Sequence, residues 1–297
     1  MANIAEAEQK VGVSFDFMDF VEIGTSDFDT LIEKADSSTV GISIEPVQEY
    51  FSRLPEREKV LKINAAISNF DGESTIFFVS PDAINEFGLP KWVRGCSSIN
   101  SRHETVSRIL SERGIDDDRD IVIQNTIDTF RLKTVLHKHK ASGVFFLKID
   151  TEGHDTVIIR DFFSDAPQPL WPHRIVFEAN LLSNKKDVQE IIVMLISIGY
   201  EMVSFGRDAE FVLNLGKSRR ARVAFSHRIK GYYLADYPKD FNPRVLPYKN
   251  TLEAAQKYCV DMGYGGVTYQ YGRYEVRIGD YLRRDAKNAD IVSWIYY

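Results

Sequence analysis

The densest run of chemically capable side chains is Lys148-Ile149-Asp150-Thr151-Glu152-Gly153-His154-Asp155, directly after the apolar run Val144–Leu147. Carboxylates and an imidazole are the groups that take a proton from a hydroxyl nucleophile, which makes Asp150, Glu152 and His154 candidate catalytic residues. For His154 the competing expectation is packing at a helix start. A carboxylate here can also help hold a divalent cation, Mg or Mn, that acidifies the hydroxyl. Glu178 ends the run Arg174–Glu178 (RIVFE) and faces the same rim, as a substrate contact or, with Asp150, a metal ligand.

A second set of residues has the chemistry of a nucleoside site. Glu22-Ile23-Gly24-Thr25-Ser26-Asp27 ends an apolar run, and its glycine allows a sharp turn and close approach of the backbone to a ligand. A dinucleotide loop wants glycine at three positions to admit a pyrophosphate. Here Ser26 and Asp29 stand at the second and third, and Asp27 repels a pyrophosphate but welcomes an ammonium. Glu45 lies 21 residues beyond Gly24, just after Val40–Ile44, where a carboxylate accepts from both hydroxyls of a ribose. Its competing role is to favour a helix start. Together Gly24 and Glu45 point to an adenosine-containing cofactor, and the missing pyrophosphate loop favours S-adenosylmethionine over NAD.

The elements that position these groups are short apolar strands alternating with helices. Strands are expected at Phe20–Ile23, Val40–Ile44, Val60–Ile63, Val144–Ile149 and Ile175–Phe177; helices at Leu31–Ala35, Val47–Leu54, Asp128–His139 and Asp187–Ile198. In the last helix Val188, Ile191, Ile192, Leu195 and Ile196 share a face. This alternation predicts an α/β fold with a parallel sheet covered on both sides. Glu201–Phe205 and Glu210–Leu215 are too close for a parallel crossover, so one strand should be antiparallel. Ile67–Phe70 and Ser74–Val79 read as a hairpin about Asp71-Gly72, and residues 80–120, with a helix at Glu104–Arg113, as an insertion or lid.

Composition narrows the function classes. The 297 residues carry 37 Lys plus Arg against 43 Asp plus Glu, a net charge of -6. Such a surface has no general attraction for phosphate, so nucleic acid is not an expected partner; the basic run Lys217–Arg222 is a local anion contact or a solvated loop. Two cysteines, Cys96 and Cys259, are too few for a disulfide scaffold or a structural zinc site. The first twelve residues lack the apolar core of a signal peptide, and no run approaches the ~20 apolar residues of a membrane span. A soluble cytoplasmic protein is expected.

The blocks FVEIGTSDFDT, GISIEP, INAAISNFDG, GCSSIN, NTIDTF, FLKIDTEGHD and RIVFEAN resemble, in order, those of FkbM-type methyltransferases, over roughly residues 18–215. The resemblance implies a Rossmann-like class I methyltransferase fold that uses S-adenosylmethionine to methylate a hydroxyl of a sugar, glycan or similar metabolite. It implies cofactor contacts from Glu22, Gly24, Thr25, Ser26, Asp27 and Glu45, with Asn64 and Ala65 on the adenine side. Asp150 and Glu152 fall at the reaction centre, and the serine pair Ser97 and Ser98 at the acceptor, the cofactor or a lid. The loop departs from the family's frequent G-A-N-x-G, reading G-T-S-D-F; its hydroxyls could bind the methionine carboxylate, with Asp27 or Glu22 meeting the ammonium. Homodimers are a base-rate expectation for such folds.

Of the 14 tyrosines, 12 lie at or after Tyr232. Residues 1–230 are read as the methyltransferase-like domain, 231–249 as an extended connector and 250–297 as a small Tyr-rich α+β module. In that module Thr251 caps a helix that ends near Gly263, and a hairpin turns at Tyr271-Gly272-Arg273. Its rings are expected mainly as core. A second function class is a non-catalytic glycan-binding protein, with a methyltransferase-like scaffold and sugars stacked on the tail's aromatics.

Overall fold

A computed structural model of the chain describes residues 17–115, 121–180, 183–218, 224–226, 228–239 and 251–297. The N-terminal segment, most of the basic run and the second half of the expected connector lie outside the described residues.

The centre is a seven-stranded sheet. Its strands in chain order are β1 (Met18–Ile23), β2 (Gly41–Ile44), β3 (Val60–Ile63), β4 (Val144–Ile149), β5 (Arg174–Glu178), β6 (Tyr200–Phe205) and β7 (Asp208–Leu213). They lie in the order β3-β2-β1-β4-β5-β7-β6, and only β7 runs antiparallel to its neighbours. The mostly parallel sheet with one antiparallel strand is as the sequence predicts. The chain reverses between β1 and β4, so the C-terminal ends of β1, β2 and β4 open onto one crevice, the place where such sheets bind ligands. One continuous core of Val21, Ile23, Leu147, Ile149, Ile175 and Phe177 packs against Leu132, Ile158, Phe162 and Leu195 of the covering helices. The opposite face is more polar, with Glu22, Ser43 and Lys148 side by side across β1, β2 and β4.

Residues between β3 and β4 depart from two expectations. The hairpin about Asp71-Gly72 does not form. Instead the strand Val122–Arg131 inserts between its two arms, parallel to Ala66–Ser68 and antiparallel to Gly72–Val79. All eight residues of Gly72–Val79 pair with it, whereas Ala66–Ser68 offers only three. Accordingly the helix expected at Asp128–His139 begins only at Leu132, because Ile127, Thr129 and their neighbours are held extended in that sheet. Asp71 accepts from the Arg131 amide at 2.9 Å and from Thr134 Oγ1 at 2.9 Å, which starts the helix from across the turn. The insertion has its own apolar cluster, including Val79, Leu89, Val93, Cys96, Val106 and Leu110.

The tail is fused to the domain. Helix Leu252–Met262, capped by Thr251 and ended by left-handed Gly263, packs beside the hairpin Gly266–Gln270/Arg273–Arg277. Ile229–Lys230 pairs with Val292–Ile295, and Tyr232–Leu234, expected in the connector, pairs with Leu282–Arg284. Tyr232, Leu234, Leu282, Ile295 and Tyr297 belong to the same core as the central strands, and Tyr232 donates to Asp19 of β1 at 2.5 Å. Most tail rings are thus packing, as the sequence favours; Tyr271, at the hairpin tip, is 80% exposed. Cys96 and Cys259 are both buried, in separate clusters. No helix among the described residues is long and apolar enough to cross a membrane.

Candidate active site

The strand ends converge on a small cavity lined by Gly24, Ile44, Pro46, Ala65, Ser97, Ser98, Asp150, Thr151 and His154, among others. Its open volume is about 40 Å³, room for roughly three waters. The sequence-predicted residues of four separate segments therefore meet at one place.

Gly24 makes this convergence sterically feasible. It has φ +77, and a Cβ on it would lie 2.8 Å from the Asp150 carbonyl carbon and closer still to the oxygen. Asp150 N donates to Ile23 O at 2.9 Å and Gly24 N to Ile44 O at 3.0 Å, so the ends of β1, β2 and β4 are stitched together.

Beyond Gly24 the loop folds back onto Glu45. That carboxylate, 2% exposed, accepts from Ser26 N at 2.6 Å, Thr25 N at 3.1 Å and Val47 N at 2.8 Å. Burial pushes its pKa up to about 7 despite these donors. Asn64 donates its amide to the Glu45 and Pro46 carbonyls at 2.8 and 3.0 Å and so holds the β2 turn; Ala65 is the neighbour that lines the cavity. Ser98 Oγ donates to Ser101 O at 2.6 Å.

The two acids expected near an ammonium already have cationic partners. Glu22 is fully buried, accepts from the Leu31 amide at 2.9 Å and pairs with Lys148 Nζ at 3.1 Å. Burial raises its pKa, and Lys148 opposes the rise. Asp27 pairs with Arg53 at 2.8 Å and Arg94 at 3.3 Å, and Arg94 also lies over the Phe28 ring at 4.4 Å. In this conformation Glu22 fixes the start of the following helix, and Asp27 fastens the loop to the insertion.

The opposite wall is acidic. One carboxylate oxygen each from Asp150, Glu152 and Glu178 lies within 4.8 Å of the others. Glu152 reaches this position from a left-handed backbone, φ +53, beside Gly153. Burial, then the charges of Asp150 and Asp155, raises its pKa to about 7. Burial, then the charges of Glu152, Asp155 and Asp150, push Glu178 up to about 8, and burial raises Asp150. Asp155 is spent on structure: it accepts from Thr151 N at 2.9 Å, from the Thr151 hydroxyl and from Glu178 N at 2.8 Å, tying the β4 turn to β5. His154 faces the cavity, Nε2 2.9 Å from Ser68 Oγ, and burial lowers its pKa, so the ring is neutral at pH 7.

Three residues escaped the sequence reading. His103 is 7% exposed, with Nε2 3.6 Å from Glu152 Oε2. Arg94 and Arg207 were also missed; Arg207 lowers the carboxylate pKa values of Asp150, Glu152 and Glu178 through its charge. All three stand in the insertion or in a β-turn, where sequence spacing carries no signal of what lies opposite.

A mostly parallel sheet with an acid just after β2, a glycine turn after β1 and acids after β4 is a Rossmann-like α/β arrangement, consistent with a methyltransferase fold. The chain belongs to the FkbM methyltransferase family: the model of the Methyltransferase FkbM domain matches residues 11–202. No curated protein and no solved structure matches it.

Proposed function

We propose that this chain is an S-adenosylmethionine-dependent O-methyltransferase acting on a hydroxyl of a sugar, a glycan or a similar metabolite. The observation that carries the reading is the single cavity shared by Gly24, the Glu45-bearing turn, Asp150 and His154. The donor set fits the cofactor. Ile44, Pro46 and Ala65 offer an apolar wall for adenine, and Glu45 has an oxygen whose two amide donors can be exchanged for ribose hydroxyls. The Thr25 and Ser26 amides now occupy that Glu45 oxygen, so a ribose bound there would displace the loop from it. Thr25 and Ser26 then have amides and hydroxyls free for the amino-acid end.

When bound, the cofactor supplies an electrophilic methyl on a sulfonium: the acceptor oxygen takes the methyl and the C–S electron pair stays on sulfur. The chain's own task is alignment and removal of one proton. Neutral His154 takes the hydroxyl proton, while Asp150, Glu152 and Glu178, with Ser97, form the polar wall that orients the acceptor. The Tyr-rich tail buttresses the domain.

Calorimetric titration with S-adenosylmethionine and S-adenosylhomocysteine, with NAD as control, tests the reading. Micromolar binding of the first two without NAD binding is expected. Absence of binding by folded protein would overturn it and favour the scaffold alternative.

A further inference from the structure

Three acids stand together opposite the cofactor-side wall. Asp150 leaves the end of β4, Glu152 comes from the left-handed turn two residues on, and Glu178 ends β5. Each offers an oxygen within 4.8 Å of the others. Two oxygens on one Mg²⁺ at about 2.0–2.1 Å are at most about 4.2 Å apart, so the three carboxylates need draw in by no more than about 1 Å to share one ion.

Glu178 supplies the second, independent observation. It is 3% exposed. Asn180 donates to its Oε1, while Oε2 is buried and has no hydrogen-bond partner among the described residues. A buried carboxylate oxygen left without a donor is costly unless something cationic meets it. The neighbouring groups do not fill that role. Lys148 Nζ is 3.9 Å from Asp150 and engaged with Glu22, and the exposed Arg207 bears on the acids by its charge without an ion pair to any of them among the described residues. Asp155 has its oxygens occupied by Thr151 and the Glu178 amide.

We infer that Asp150, Glu152 and Glu178 form a binding site for one divalent cation of the hard, oxygen-seeking kind, Mg²⁺ or Mn²⁺. Three carboxylates without a thiolate or an imidazole ligand suit these ions rather than copper or zinc. His103 stands behind the site as a positioning residue. Its Nδ1 accepts from Thr105 N at 3.2 Å, which leaves the proton on Nε2, facing Glu152 Oε2 at 3.6 Å. A ring in that tautomer steers the carboxylate and does not coordinate. The cation's role rests on the methyltransferase reading: it would hold the acceptor oxygen and acidify its hydroxyl, with the proton passing to His154. The binding itself does not rest on it.

The test uses the full chain freed of metal with EDTA, at pH 8, without cofactor or acceptor. Mn²⁺ binding is followed by electron paramagnetic resonance of the free ion, with Mg²⁺ as competitor. One Mn²⁺ per chain, displaced by Mg²⁺ and weakened at least tenfold in both Glu178→Gln and Asp150→Asn, is expected. Circular dichroism selects folded variants, and Glu152→Gln replaces either that fails to fold. No binding by folded wild-type protein at millimolar Mn²⁺, or affinity unchanged in the folded variants, would overturn the proposal. Mn²⁺ binding without S-adenosylhomocysteine binding would instead leave the cation site standing while the cofactor reading falls.

Discussion

Gly24→Ala probes whether the close approach of β1 to β4 creates the site. A Cβ at this position sits 2.8 Å from the Asp150 carbonyl carbon, against ordinary carbon contacts of about 3.5–4.0 Å. Clearing it requires roughly 1 Å of opening, which loads the bonds from Asp150 N to Ile23 O and from Gly24 N to Ile44 O. Overpacking of this kind costs about 1–3 kcal/mol. The φ of +77 adds about 1–2 kcal/mol for a residue with a Cβ. The sum, about 2–5 kcal/mol, corresponds in a chain of this size to a Tm fall of about 4–10 °C. Gly114→Ala is the matched control, because its φ is +67 but nothing lies within 4 Å of the built Cβ. It should lose only the conformational part, about 2–4 °C. Thermal melts of both variants beside calorimetry with S-adenosylhomocysteine read the two consequences, and Gly24→Ala should also lose cofactor affinity. A Gly24→Ala melt no lower than that of Gly114→Ala, or with cofactor affinity intact, would refute the steric reasoning.

Glu45→Ala removes the ribose acceptor, and loss of charge-assisted bonds worth about 1.5–3 kcal/mol should weaken S-adenosylhomocysteine binding about 10- to 150-fold; equal affinity by calorimetry would dismiss the contact. Asp150→Asn should bind that ligand within about threefold of wild type and yet lose methyl transfer, so retained turnover with a competent acceptor would remove its assigned role. Above pH 7 the metal-free protein should lose stability as pH rises. Glu152 near 7 and Glu178 near 8 hold protons in the folded chain that carboxylates release lower down when unfolded, so the unfolded state binds fewer protons in this window. Melts in EDTA at pH 7, 8 and 9 check the sign, and a Tm that climbs across the series contradicts it. Deleting residues 251–297 should abolish the soluble fold, because Leu282, Ile295 and Tyr297 belong to the central core; a soluble truncation that binds S-adenosylhomocysteine would show the tail to be separable.

The central sheet was legible because its strands are nearly continuous apolar runs. Val60–Ile63 and Val144–Ile149 are strands over the ranges their residue types predict. The antiparallel strand followed from loop length alone. The second sheet was not legible: Ile67–Phe70 and Ser74–Val79 look like a hairpin locally, and nothing nearby reveals that Val122–Arg131 arrives from some forty residues away to pair with both. The tail was half legible. Its helix cap and hairpin turn are local chemistry, but the fusion of Tyr232 and Ile295 into the main core is a long-range choice.

At the site, residue types alone select the participants, since an acid after one strand, a glycine after another and a D-x-E run after a third carry their chemistry wherever the chain puts them. Who satisfies whom is decided in three dimensions. Glu45 accepts loop amides, Glu22 is neutralised by Lys148, and Asp27 is clasped by Arg53 and Arg94. His103 stands behind Glu152 from an insertion about fifty residues earlier. Burial, which raises Glu152 and Glu178 and leaves one Glu178 oxygen without a donor, is a property of packing and not of spacing. Sequence determines the strands and the reactive groups because propensity and periodicity are local; the partners, exposures and protonation states arise only when distant segments exclude water from the same small volume.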